Sequence, residues 1–113
     1  MQFRPLGSTG IHVSALALGA GPVPNLMTAD DQKRQIEVVR RALTAGVNWF
    51  DTAATYGNGS SERSLGQALH NLDAMDAIHI ATKVRLMPED LSSISQKIRE
   101  SFTESLNRLG VSR

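Results

Sequence analysis

The sequence contains no cysteine, which removes disulfides, thiolate metal sites and thiol nucleophiles together. It also lacks an excess of either charge. Twelve Lys and Arg against eleven Asp and Glu give a net charge of +1, with the two signs interleaved along the chain. A stripe for a polyanion or an anionic lipid surface needs clustered cations, so neither nucleic acid nor a membrane is expected as a partner. No apolar run approaches the roughly 18 residues of a bilayer span. No basic-then-apolar stretch leads to a small-residue cleavage site, so the cytoplasm is the expected location. Without a secretory pattern, the match of Asn58-Gly59-Ser60 to a glycosylation acceptor is read as chance.

What is present is ordinary: 113 residues, 41% hydrophobic and 20% charged, enough for one modest core in a soluble fold. Phe3 to Leu6 and Ile11 to Ala15 flank Gly7-Ser8-Thr9-Gly10, a hairpin signal, because the glycines supply the positive φ angles of a tight turn. Leu16-Ala17-Leu18 continues as a first buried strand to Gly19-Ala20-Gly21, where Pro22 and Pro24 end regular structure. Thr28 reads as an N-cap, with Asp31 as acidic first turn. Ile36, Val39, Ala42 and Leu43 then give a helix from about Ala29 to Ala45, with Gly46 as its left-handed terminator.

The run Val47 to Asp51 is a buried strand that delivers a carboxylate at its end, and a loop carrying Tyr56 follows. Ser60 or Ser61 caps a second helix, to about Leu72, with Glu62 facing the positive end of its dipole and Leu65, Ala68, Leu69 and Leu72 as its stripe. Ile78 to Thr82 is a third buried strand, ending in Lys83. Ser93 and Gln96 have capping-box spacing ahead of a helix whose stripe is Ile94, Ile98, Phe102, Leu106 and Leu109, closed by Gly110.

Alternating strands and helices build parallel units with right-handed crossovers. A doubly wound sheet and part of a (β/α) barrel both fit. Gly19-Ala20-Gly21 lacks the third, helix-opening glycine of a dinucleotide fingerprint, which favours the barrel.

In a parallel sheet all strands deliver their C-terminal ends to one side, so Asp51 and Lys83 share a face. On neighbouring strands, about 4.8 Å apart, the two can pair directly, within reach of Tyr56. A tyrosine, ordinarily titrating near pH ~10, is a sluggish proton donor at neutrality. A lysine ammonium beside it favours the phenolate, and an aspartate keeps that lysine charged and oriented. Taken singly, Asp51 reads as a turn cap, Tyr56 as a loop aromatic and Lys83 as a solvated strand end; their joint register carries the chemical reading. His12, His70 and His79 do not end a strand on that face and are read as structural or solvated. Gly19 to Gly21 reads equally well as a plain strand-to-loop turn. No metal is expected.

Phe50-Asp51-Thr52-Ala53 with Tyr56-Gly57, then Ser61-Glu62, Leu65-Gly66 and Ala81-Thr82-Lys83-Val84, resemble the N-terminal third of an aldo-keto reductase. The resemblance implies an α/β fold: an incomplete parallel (β/α)8 TIM barrel of about three βα units, with a hairpin over 1–15 that plugs the barrel bottom and βα units over 16–113. It implies an oxidoreductase that reduces aldehydes or ketones with NADPH, or with NADH, and a small carbonyl compound as its partner. It makes Tyr56 the proton donor, Lys83 the residue that tunes it and Asp51 the orienting carboxylate. Gly19, Ala20, Gly21 and Asp51 would lie against the cofactor, with Ala20 where many members carry a larger or hydroxyl residue. The family's histidine at the fourth strand and its grip on the adenosine phosphate have no counterpart up to Arg113. Activity is therefore expected of the complete barrel. The alternatives are a non-catalytic cofactor-sensing or regulatory barrel subunit and an inactive truncated fragment.

Overall fold

The structure is a computed structural model that describes residues 1–21 and 25–112. Strands β1 (Phe3–Pro5) and β2 (His12–Ser14) pair antiparallel as the hairpin. The turn is closed by Leu6 N donating to Ile11 O at 2.8 Å and by the Thr9 hydroxyl donating to Leu6 O at 2.6 Å. Gly7 and Gly10 take φ of 56° and 77°, the left-handed region that the turn demands.

Three further strands, β3 (Leu18–Gly19), β4 (Trp49–Asp51) and β5 (His79–Ala81), form a parallel sheet in the order β3-β4-β5. Gly19, Asp51 and Ala81 stand in register at its C-terminal end. Helices α1 (Gln32–Thr44), α2 (Ser60–Asn71) and α3 (Ile94–Leu109) connect and cover it. The architecture is α/β with an open parallel sheet; among the described residues it is not a closed barrel.

Asn48, just before β4, ties the hairpin to the N-terminal end of the sheet. Ser14 N donates to Asn48 Oδ1 at 2.7 Å, Asn48 Nδ2 donates to His12 O at 2.9 Å, and Asn48 N donates to Ser14 Oγ at 3.1 Å. The hairpin therefore lies opposite the end where Asp51 emerges. Between sheet and helices, Phe50, Val39, Leu65, Ala68 and Leu69 are buried as the core. Full burial of an aliphatic or aromatic side chain stabilises by about 1.5–3 kcal/mol, and Phe50 reaches it because β4 alone is flanked by strands on both sides. Helix α1 ends as expected of Gly46. Gly46 N donates to Leu43 O and Val47 N to Ala42 O, with Gly46 at φ 85°, a Schellman arrangement that turns the chain straight into β4.

Several local expectations are corrected. The cap of α1 is Asp31, whose carboxylate accepts from Arg34 N at 3.0 Å, so the helix starts at Gln32 rather than near Ala29 and Thr28 lies outside it. The N-cap of α2 is Gly59, at φ 81°, and neither Ser60 nor Ser61. Ser93 stands at the N-cap of α3 without a side-chain cap bond, and Gln96 donates instead to Glu100 at 2.8 Å. The stripe of α3 reaches the core only at its end: Leu109 is buried, whereas Ile94, Ile98 and Phe102 are exposed. Strands β3 and β5, expected to be buried, are edge strands: Leu18 and His79 to Ala81 are half-buried, Gly19 is exposed, and Leu16 is 67% exposed. Pro22 and Pro24 lie outside the described residues.

Candidate active site

The ladder runs one residue past the ends of β3 and β4, with Ala20 N donating to Asp51 O at 2.7 Å and Thr52 N to Ala81 O at 2.8 Å. Asp51 thus leaves a rigid sheet end rather than a free loop. Lys83, two residues beyond β5, turns its ammonium back. It donates to Asp51 Oδ1 at 2.5 Å and to Thr52 O at 2.9 Å. The direct pairing expected from strand adjacency is formed.

Tyr56 completes the cluster, with the Lys83 ammonium 5.2 Å from its ring centroid. The loop is held by Tyr56 N donating to Ala53 O at 3.1 Å and Ser61 N donating to Tyr56 O at 3.3 Å. Gly57, Asn58 and Gly59 are all left-handed, at φ of 57°, 51° and 81°, and this run folds the chain from Tyr56 into α2. A side chain at Gly57 would also meet Thr28 Cγ2 at 2.8 Å.

Burial works against the charge on Lys83. The Asp51 hydrogen bond and charge, with a further contribution from Tyr56, outweigh it and raise the lysine above its ordinary pKa. The ammonium is therefore fully charged across neutral pH. It is half-exposed, which leaves the cluster open to a ligand.

The other residues expected at a cofactor adjoin this cluster. Gly19 stands in register with Asp51 and has open space where a side chain would be. Ala20 is fully buried, and Gly21 lies beside Tyr56, with Cε2 3.9 Å from the place of an added Cβ. The histidines are elsewhere. His12 is in the hairpin, His70 bonds Gly110 O at 3.0 Å, and His79 starts β5 with its ring 6.4 Å from that of Trp49. Among the described residues no three His, Asp or Glu cluster as a metal site.

Behind the cluster is a polar network that residue pattern alone does not reveal. Glu62 and Ser61 are fully buried, and Glu62, expected in the first turn facing the positive end of the helix dipole, is committed to side-chain partners instead. Its Oε2 accepts from Arg108 Nε at 2.5 Å and its Oε1 from the Thr82 hydroxyl at 2.6 Å. Serine followed by glutamate in the first turn was the visible signal, but it also fits a cap.

Residues 15–113 match the model of the Aldo/keto reductase family. The chain is 36% identical over 110 residues to L-galactose dehydrogenase of Arabidopsis thaliana, covering 96% of this chain and 34% of that protein. It is 33% identical over 114 residues to a protein of Oryza sativa subsp. japonica named "probable voltage-gated potassium channel subunit beta", covering 96% and 34%. Among solved structures it is similar to aldo-keto reductase AKR11C1 from Bacillus halodurans in its holo form, with a TM-score of 0.78, 30% identity, and 98% and 37% of the two chains covered. It is also similar to an aldo-keto reductase from Klebsiella pneumoniae in complex with NADPH, with a TM-score of 0.70, 25% identity, and 88% and 32% covered. The chain spans about a quarter to a third of the length of the curated relatives it matches.

Proposed function

This chain belongs to the aldo/keto reductase family, and from that premise we propose that it is the N-terminal part, over 1–113, of a (β/α)8 barrel that reduces aldehydes or ketones with NADPH. The observation that carries the reading is the Lys83–Asp51 contact at 2.5 Å, formed at parallel strand ends with Tyr56 beside it. In this reading the Tyr56 hydroxyl donates the proton that the reduced carbonyl oxygen takes up. Lys83 favours that release by placing a positive charge next to the phenol. Asp51 keeps Lys83 charged and aimed, as does the Thr52 carbonyl.

The cofactor residues are proposed as Gly19, Ala20, Gly21 and Asp51. Their fit is supported by the open space at Gly19 and the position of Gly21 against Tyr56, which together leave a side-chain-free strip beside the carboxylate. NADPH, when bound, supplies the hydride. NADH is the alternative donor, and a cytoplasmic setting goes with this reading.

A second reading, a regulatory barrel subunit without turnover, is favoured by the rice relative named as a channel subunit. One experiment separates the two: carbonyl-dependent NADPH oxidation by the complete barrel, with Tyr56→Phe as control. Turnover lost in Tyr56→Phe supports the reductase. NADPH binding without oxidation, across a panel of aldehydes and ketones, supports the subunit.

A further inference from the structure

We propose that the consecutive pair Ser61-Glu62 is a positioning device: from the first turn of α2 it grips the ends of all three parallel strands and so fixes where Asp51 and Lys83 stand. The proposal rests on the reading of Asp51, Tyr56 and Lys83 given above.

Successive helical residues point about 100° apart, so one pair can reach different strands. Ser61 turns towards β3 and β4. Its hydroxyl donates to Ala20 O, just past β3, at 2.6 Å. That uses its one hydrogen, so in the 2.9 Å contact with Thr52 the Thr52 hydroxyl is the donor. Thr52, just past β4, is then held at three points: its amide by Ala81, its hydroxyl by Ser61, and its carbonyl by Lys83. Glu62 turns towards β5 and accepts from Thr82, the residue before Lys83.

A buried carboxylate needs a counter-charge, and Arg108 supplies it from α3. Among the described residues no buried side-chain polar atom lacks a partner. Apolar side chains would fill this space equally well but would leave the strand ends free to shift. Hydroxyl and carboxylate give direction. Lys83, a flexible and half-exposed side chain, is thereby fixed at both ends: at its base through Thr82, and at its head by Asp51 and the clamped Thr52 carbonyl.

The test uses the complete barrel with Ser61→Ala, Thr82→Val, the conservative Thr82→Ser, and Val39→Ala as a destabilised core control. Four quantities are measured: kcat, KM for the carbonyl, the melting temperature, and the acylation rate of Lys83 relative to exposed Lys33, read by peptide mass. Ser61→Ala and Thr82→Val should lower kcat by about 10- to 100-fold, the scale of a misplacement near 1 Å, with KM changed less than about threefold. Lys83 should acylate several-fold faster in both. Thr82→Ser should restore both readouts, and Val39→Ala should lower the melting temperature without moving either. Changes of less than about twofold in kcat with unaltered acylation would overturn the proposal, as would losses that merely follow melting temperature. If the unmodified barrel has no turnover, the reductase reading fails and the acylation arm decides the positioning device alone.

Discussion

Replacing Arg108 with methionine removes the counter-charge of a fully buried carboxylate while keeping a side chain of similar reach. Among the described residues, Glu62 would be left with the Thr82 hydroxyl as its one partner. Arg108 also bonds Glu104 at 3.2 Å and the Ser105 hydroxyl at 3.3 Å. Glu104 is 68% exposed, so that pair is worth only about 0.3–0.5 kcal/mol. Nearly all of the effect must then come from the stranded charge, and breaking a buried pair from one side costs roughly 3–5 kcal/mol. The assay is urea unfolding of the complete barrel, with and without Glu62→Gln added. Arg108→Met should lose about 3–5 kcal/mol. The double variant should lose markedly less, because the stranded charge is gone and what remains is about the 1–3 kcal/mol of an imperfectly paired polar group. A loss below about 1 kcal/mol, not relieved in the double variant, would refute the argument.

Three further outcomes are expected. In the complete barrel Lys83→Met should abolish measurable reduction with little change in melting, while Asp51→Asn, which keeps a hydrogen-bond partner, should cause a smaller but large loss; activity within about tenfold for Lys83→Met would remove Tyr56 as proton donor. The raised pKa of Lys83 means that its pairing with Asp51 contributes fully below the ordinary lysine value of about 10.4 and is lost only as pH rises through the higher folded value. Titration of a labelled Lys83 side chain checks this, and a midpoint below the ordinary value would contradict it. Residues 1–113 produced alone should self-associate or remain loosely packed, since among the described residues β3 and β5 have unpaired outer edges and Ile98 and Phe102 are exposed. Sedimentation and melting test that, and a compact, cooperatively melting monomer with aldehyde turnover would count against it.

The sequence made some of this arrangement legible and not the rest, and the division follows the geometry that each contact depends on. Asp51 and Lys83 are 32 residues apart, yet their meeting was readable. Both end parallel strands, and sheet register takes few discrete values, so adjacency alone brings the two groups together. Helix α1 was readable for a similar reason: the spacing of Ile36 and Val39 marks one face, and Gly46 marks its end. The stripe of α3 has the same clarity on paper, but periodicity says which face is apolar and not whether a neighbour covers it. Ser61 looks like a cap because serine often is one, but the left-handed run from Gly57 to Gly59 gives the cap to Gly59 and frees the serine hydroxyl for the strand ends. Glu62 and Arg108, 46 residues apart, meet only because α2 and α3 cross closely where Gly66 faces the Leu109 backbone, with Leu109 Cα 2.8 Å from the place of an added Cβ. Helix crossings vary continuously, and nothing in the pattern separates Arg108 from Arg41, which is 80% exposed and pairs with Glu37 along its own helix. Groups carried on strand ends inherit their geometry from register and can be read in advance. Groups that brace those ends from helices inherit it from packing, and their roles emerge only once the helices are in place.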